Sequence, residues 1–227
     1  MAIHTHGSGY EIIDVSHAIG AGMETYPGLP APRVEILIDY EASRARYAGQ
    51  SEFLIGSYHL CGNTGTYVDA PIHRHRGGAD LASVPIQRLV HVPIVLIDAS
   101  AATSRALGAE LFSGLDLTDK AVIIRSDWSR HFGTPEYFQP NPHLTEAACR
   151  LLVSHSPAIV GIDSVNIDDM ADPARPAHTL LLGAGIPICE HLTHLDQLTG
   201  QSEYLHAAPV AWRGGATFPV RAYALRG

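Results

Sequence analysis

The chain has 227 residues, of which 46% are hydrophobic and 17% charged, and its formal net charge is −8. This balance predicts a folded protein, because it lacks the polar excess that leaves a chain disordered. The negative charge argues against a nucleic-acid partner, since phosphate binding requires a clustered basic surface. Residues 1–9 are predicted to form a flexible arm that precedes a single domain over residues 10–227.

Cysteine spacing and hydropathy indicate a cytoplasmic protein without a membrane anchor. Cys61, Cys149 and Cys189 are odd in number and widely spaced, which favours neither a disulfide framework nor a thiolate zinc site. The sequence contains no run of about 18 apolar residues that could span a bilayer. It also lacks a basic segment followed by an apolar one near the start, so we expect no signal peptide.

The first half of the chain is predicted to be rich in strands, at residues 11–16, 34–40, 52–60 and 92–98. In the second of these, Val34, Ile36 and Ile38 alternate with Glu35. Residues 26–30 contain two prolines and a glycine and are predicted to form a loop, the usual location of substrate contacts.

The second half mixes strands with two helices. Helices are predicted at residues 145–154, with Thr145 as the N-cap, and at residues 176–184. Strands are predicted at residues 121–124, 158–162, 186–190, 207–212 and 218–225. Because the helices fall between strands without strict alternation, we predict an α/β domain with mixed sheets and flanking helices.

One segment combines a glycine turn with potential ligands. In residues 63–73, Gly65 permits a positive φ in the turn. Tyr67, Asp69 and His73 follow at positions that share one side of an extended segment. We therefore expect Asp69 and His73 to converge on one cavity.

Two residues late in the chain complete a candidate metal site. Carboxylate and imidazole groups suit zinc, manganese or iron, and a catalytic site needs about three protein ligands with one position left open. Asp69, His178 and Glu190 meet that count, and His73 is a candidate for proton transfer.

The segment Asn63-Thr64-Gly65-Thr66-Tyr67-Val68-Asp69-Ala70-Pro71-Ile72-His73 resembles the signature of the cyclase and kynurenine formamidase family of metal-dependent hydrolases, His-x-Gly-Thr-His-x-Asp-x-Pro-x-His. The resemblance extends to Pro176-Ala177-His178-Thr179-Leu180-Leu181 and to Ile188-Cys189-Glu190. It implies a swivelling β/β/α fold and a homodimer or homotetramer. It also implies two metals that share Asp69, the second held by His178 and Glu190, with His73 transferring protons.

Two positions depart from that signature. Asn63 and Tyr67 stand where the family has the two histidines that bind the first metal. An amide oxygen is a weak ligand for zinc, and Tyr67 could bind only as a phenolate, whose ordinary pKa is about 10. We therefore predict one divalent ion, zinc or manganese, or no metal, with Asn63 and Tyr67 at replaced-ligand or substrate-binding positions.

The leading hypothesis is an arylformamidase-like hydrolase of a small amide, formamide, lactam or lactone. The ion would polarise the substrate carbonyl and lower the pKa of bound water, with His73 as general acid and base. Tyr26 and Trp128 are candidates for an apolar pocket wall, and Arg74 or Arg76 for binding a substrate carboxylate.

Two alternatives remain open at this point. The chain could be a metal-free binder of small molecules that lost catalysis. It could also be a metal-free lyase or dehydratase with His73 as base and Tyr67 as acid. The retention of Asp69, His73, His178 and Glu190 argues against the binder, because buried ionisable groups are costly without partners or an ion.

Overall fold

The structure is a computed structural model that describes residues 4–5 and 9–227. It is a mixed α/β protein, as the sequence predicts, and its described residues form three helices, one more than the two expected. The helices are α1 (Tyr40–Arg46), α2 (Glu146–His155) and α3 (Pro176–Gly183). Most of the predicted arm, residues 1–9, lies outside the described residues, although His4–Thr5 forms a short strand.

Fourteen strands are found in the described part of the chain. They are β1 (His4–Thr5), β2 (Glu11–Asp14), β3 (Arg33–Ile38), β4 (Ile55–His59), β5 (Tyr67–Asp69), β6 (Val90–Asp98), β7 (Ala106–Leu107), β8 (Ala121–Arg125), β9 (His143–Leu144), β10 (Ile159–Ile162), β11 (Ile188–Glu190), β12 (Glu203–His206), β13 (Thr217–Pro219) and β14 (Tyr223–Arg226).

Ten strands form one mixed sheet in the order β1-β2-β14-β12-β6-β8-β10-β11-β5-β13. The central strands β6, β8, β10 and β11 are parallel, and the outer ones pair antiparallel. Strands β3 and β4 form a separate antiparallel pair, and β7 pairs with β9.

The centre of the sheet is buried on both faces, which explains its continuous apolar sequence. Along β8, Ala121 and Ile123 pack into one hydrophobic core, whereas Val122 and Ile124 pack into the other, against α2 and α3. Thr145 caps α2 by accepting a hydrogen bond from the Ala148 N–H at 3.2 Å, as its sequence predicts.

Several expectations about elements were wrong in detail, and the strand predicted over residues 218–225 divides into β13 and β14. Residues 207–212 form no strand, because the pairing strand lies just before them, at β12. Helix α1 was not predicted; Asp39 caps it. The extended segment after Gly65 ends at Asp69, because Pro71 begins a 3₁₀ turn that runs to His73.

The apolar face of β3 is not part of either core. Val34 and Ile36 keep 49% and 51% of their surface exposed, because the β3–β4 pair is separate from the large sheet. Among the described residues, no helix is both long and apolar enough to cross a membrane.

A buried carboxylate joins the ends of two central strands. Asp163, 1% exposed, follows β10 and accepts hydrogen bonds from the Ser126 N–H at 2.8 Å and from the Ser126 hydroxyl. Burial raises the pKa of Asp163 to about 6, although the bonds from Ser126 act to lower it. The ionised form is therefore less favourable in the folded protein than in the unfolded chain.

Asp163→Asn is expected to alter the pH dependence of stability. Below pH 4 the carboxyl is protonated in both states, and above pH 6 it is ionised in both. The wild type therefore loses roughly 3 kcal/mol of stability through this group as the pH rises from about 4 to 6. Urea unfolding in chelator at pH 4 and pH 7 measures the difference between the two proteins. If the free energy of unfolding changed equally in both proteins between these two pH values, the raised pKa of Asp163 would be contradicted.

Candidate metal centre and active site

Strand pairing places two carboxylates on one face of the sheet. Strand β5 pairs antiparallel with β11, with Asp69 opposite Ile188 and Tyr67 opposite Glu190. Directly opposed residues share a face, and so do residues two apart along a strand. Asp69 and Glu190 are therefore diagonal neighbours, and both are buried.

The third candidate ligand, His178, comes from helix α3. Its Nδ1 lies 2.6 Å from Asp168 Oδ2, so Nδ1 carries the proton that is donated to this carboxylate. Asp168 also accepts the backbone N–H groups of Ala177 and His178, at 2.6 and 3.1 Å. One carboxylate thus caps the helix, orients the imidazole and leaves Nε2 free to bind an ion.

The three ligand atoms converge as the sequence predicts. Nε2 of His178 lies 3.7 Å from Asp69 Oδ2 and 3.8 Å from Glu190 Oε1, and all three ligand atoms lie within 4.8 Å of one another. Two atoms bound to one ion at about 2.1 Å can be no more than about 4.2 Å apart. The spacing thus fits a divalent cation after small adjustments.

Asp69 gives the strongest indication that this centre binds a cation. Its side chain is fully buried, and neither carboxylate oxygen has a hydrogen-bond partner. A buried carboxylate without partners carries a large desolvation cost. The residues present therefore fit a metal ion, which would supply the counter-charge that Asp69 lacks.

Electrostatics lead to the same conclusion. Burial alone would lower the pKa of His178, but the charges of Glu190, Asp168 and Asp69 outweigh it and raise this pKa to about 10. Burial and the charge of Asp69 raise the pKa of Glu190. Three carboxylates therefore surround at most one positive charge, and a divalent ion would balance them.

Tyr67 is not a metal ligand in this arrangement. Its buried hydroxyl donates a hydrogen bond to Glu190 Oε2 at 2.5 Å. Burial, together with the charges of Glu190 and Asp69, raises the pKa of the phenol far above its ordinary value. The phenolate that ligation requires is disfavoured, so Tyr67 positions Glu190 instead.

Asn63 is also occupied by other contacts. Its amide oxygen accepts a hydrogen bond from Thr217 Oγ1 at 3.2 Å, and its side chain lies beside the Tyr67 hydroxyl. Both replaced positions therefore contribute hydrogen bonds where the signature has imidazoles.

His73 lies at the side of this centre. Its Nδ1 is 3.9 Å from Asp69 Oδ1, and its ring centroid is 5.6 Å from that of His178. Desolvation lowers the pKa of His73, although the charge of Asp69 opposes this change. Its side chain is 33% exposed, so the imidazole can exchange protons with a molecule in the cavity.

A cavity of about 290 Å³ opens onto the centre. It contains the predicted residues Tyr26, Asn63, Tyr67, His73, His178 and Glu190, and four more, Leu29, Arg74, Asn166 and Arg175. This volume lies at the lower end of ligand pockets and suits a molecule with one ring.

Asp69, Trp128 and Arg76 are not among the residues that line this cavity; of the pair expected to converge on it, only His73 lines it, because Asp69 is fully buried. The indole packs with Tyr137 and Val165 in a separate aromatic cluster, where its Nε1 donates to the Tyr137 carbonyl at 3.1 Å. The expectation that Trp128 forms the pocket wall was therefore wrong, because its polar edge is satisfied inside that cluster. Tyr26 and Leu29 provide the apolar wall.

The comparisons with known proteins agree with this geometry. Residues 13–169 match the family described as "Putative cyclase". The chain belongs to this cyclase family. The match includes Asp69 and His73 but ends before His178 and Glu190.

Relatives of this cyclase-family protein extend over nearly its whole length. A kynurenine formamidase of Bacillus cereus is 27% identical over 213 residues, covering 93% of this chain and 96% of that one. The structure of isatin hydrolase A from Labrenzia aggregata bound to benzyl benzoate has a TM-score of 0.82 at 26% identity, covering 96% and 94%. A structure described as a predicted metal-dependent hydrolase from Bacillus stearothermophilus has a TM-score of 0.77 at 25% identity, covering 96% and 99%.

Asp168→Asn is expected to weaken divalent metal binding by about 10- to 100-fold, because it removes the carboxylate that orients His178. Competition with a chromophoric chelator measures this affinity. Asp169→Asn is the matched control, since Asp169 accepts only from the Ala171 N–H nearby. Equal affinities for the two variants would contradict the role of Asp168.

Proposed function

We propose that this protein hydrolyses a small amide, formamide, lactam or lactone with the help of one divalent ion, zinc or manganese. The observation that carries the proposal is the convergence of Asp69, His178 and Glu190, with both Asp69 oxygens unpartnered. The kynurenine formamidase and isatin hydrolase similarities favour cleavage of a carbon–nitrogen bond.

Each residue has a task that follows from its position. Asp69, His178 and Glu190 would hold the ion, which when bound polarises a carbonyl and acidifies water. His73, beside the centre and open to the cavity, would accept a proton during attack and return it to the leaving amine or alcohol. Tyr67 would hold Glu190 in place through its hydroxyl.

The alternative readings are less well supported by these contacts. A metal-free binder would keep three carboxylates around one imidazole, which can supply only one positive charge, and this imbalance is costly in a buried site. In a lyase, Tyr67 would act as the acid, yet its hydroxyl already donates to Glu190. Turnover that persists after exhaustive chelation would nevertheless favour the metal-free enzyme.

Metal removal provides the direct test of this function. Chelation is expected to abolish hydrolysis of formanilide, and added zinc or manganese to restore it, with one ion bound per chain. Anomalous scattering would locate the ion. Absence of both stoichiometric metal and metal-dependent hydrolysis of formamides, lactams and lactones would refute the proposal.

His73→Asn is expected to reduce kcat by about 100- to 10,000-fold, the usual contribution of general acid–base catalysis. Metal affinity should change much less, because the ligands remain. His75→Asn is the control, since His75 lies two positions away and contacts the Thr179 carbonyl outside the cavity. Unchanged kcat in His73→Asn would remove this residue from the mechanism.

Replacing both Asn63 and Tyr67 by histidine is expected to raise metal content from one ion to two per chain, because it restores the signature ligands beside Asp69. Tyr67→Phe is the control, because it removes the hydroxyl without adding a ligand and should not introduce a second ion. Metal analysis after gel filtration gives the count. If the double variant still bound a single ion, the loss of the first metal site could not be explained by these two side chains alone.

A further inference from the structure

Two arginines in the cavity have no carboxylate partner in the part of the chain that the structure describes. Arg74 and Arg175 both line it, and within the described residues neither forms an ion pair with Asp or Glu. Arg125 and Arg226, by contrast, each form ion pairs with carboxylates of the protein. The two cavity arginines thus retain charge that the protein itself does not neutralise.

Both guanidinium groups are held in place by neutral acceptors. Arg74 donates to Thr179 Oγ1 at 3.1 Å and to the Ala174 carbonyl at 3.0 Å. Arg175 donates to Asn166 Oδ1 at 3.1 Å and to the Met170 carbonyl at 3.2 Å. Each group has five N–H donors, so three on each remain for a ligand.

Arg74 reaches the chain immediately before Arg175, and both side chains line the same cavity. The Ala174 carbonyl that binds Arg74 directly precedes Arg175 in the chain. Two oriented cations beside one small cavity match the geometry of a carboxylate, which guanidinium groups bind through paired, charge-assisted hydrogen bonds.

Charge is distributed unevenly over the cavity. Glu190 and His178 line it, and Asp69 and Asp168 lie against His178, so an anionic group is disfavoured beside these acids. The two arginines instead offer an anion site, because neither pairs with an acid of the described residues, and Tyr26 and Leu29 supply an apolar surface.

We infer that Arg74 and Arg175 form a specificity site for a carboxylate on the substrate, which places the scissile carbonyl at the Asp69–His178–Glu190 centre. This inference rests on the proposed hydrolase function and narrows its substrate to a small, one-ring amide or formamide that carries a carboxylate. The cavity volume of about 290 Å³ agrees with a molecule of that size.

Substrate pairs that differ only in the carboxylate test the specificity. The metal-loaded enzyme is assayed with formanilide and with ortho, meta and para formamidobenzoate. At least one formamidobenzoate is expected to exceed formanilide by about tenfold or more in kcat/KM. Arg74→Gln and Arg175→Gln should each lower that ratio toward one, a loss of about tenfold or more that is in the range for a hydrogen bond to a charged group.

The ratio within one preparation is independent of how much of a variant folds, which matters because Arg175 also contacts Asn166 and Met170. Arg175→Lys retains the charge and should keep part of the preference. Arg76→Gln is the matched control, since Arg76 is exposed, lies outside the cavity and belongs to the same basic run.

Calorimetry separates this inference from the proposed reaction. The wild type should bind para-aminobenzoate more tightly than aniline, and the Arg74→Gln/Arg175→Gln variant should lose that preference with and without added metal. If no formamide is cleaved while this loss occurs, the hydrolase proposal fails and the anion site stands. If formanilide is cleaved and the arginine variants alter neither the substrate ratio nor para-aminobenzoate binding, the inference is overturned.

Discussion

The arrangement of this site depends on the burial of Asp69 without a hydrogen-bond partner. A fully buried carboxylate of this kind destabilises the fold locally unless a positive charge lies beside it. The surrounding residues cannot remove this destabilisation, because Glu190 and Asp168 add negative charge and His178 can contribute only one positive charge. The fold therefore tolerates an unfavourable charge cluster at one point, as is typical of sites that bind cations or perform chemistry.

The large sheet determines where this cluster lies. Strands β5 and β11 pair antiparallel next to the parallel centre, so two residues far apart in sequence, Asp69 and Glu190, become diagonal neighbours. A shift of one residue in this register would move one carboxylate to the opposite face. Val68 and Cys189, which lie in the hydrophobic core on that opposite face, disfavour such a shift.

Sequence reasoning recovered the parts of the site that follow local rules. The strand and helix patterns placed Asp69, His178 and Glu190 on or beside regular elements, and the resemblance to the cyclase signature grouped them as ligands. His73 reaches the site by a 3₁₀ turn, because Pro71 ends the extended segment that the alternation favoured. Trp128 was misplaced because an aromatic residue near a loop suits a pocket wall and a core equally well.

Asp168 could not be found in this way. The N-cap position of α3 is Arg175, which forms no side-chain cap, and the carboxylate that replaces this cap comes from ten residues before His178. No local spacing rule connects such a pair. Arg175 was missed for a similar reason, because its proximity to Arg74 depends on tertiary contacts between distant segments.

Asp168 also couples local order to cation binding. Because the same carboxylate caps the first turn of α3 and orients His178, unwinding of that turn would release the cap and the imidazole together. Binding of an ion at Nε2 of His178 therefore opposes fraying of the helix by the free energy of the binding itself. The order of the first turn of α3 thus depends on whether an ion is bound. Protection of its amide hydrogens from exchange should therefore increase with the metal content of the protein.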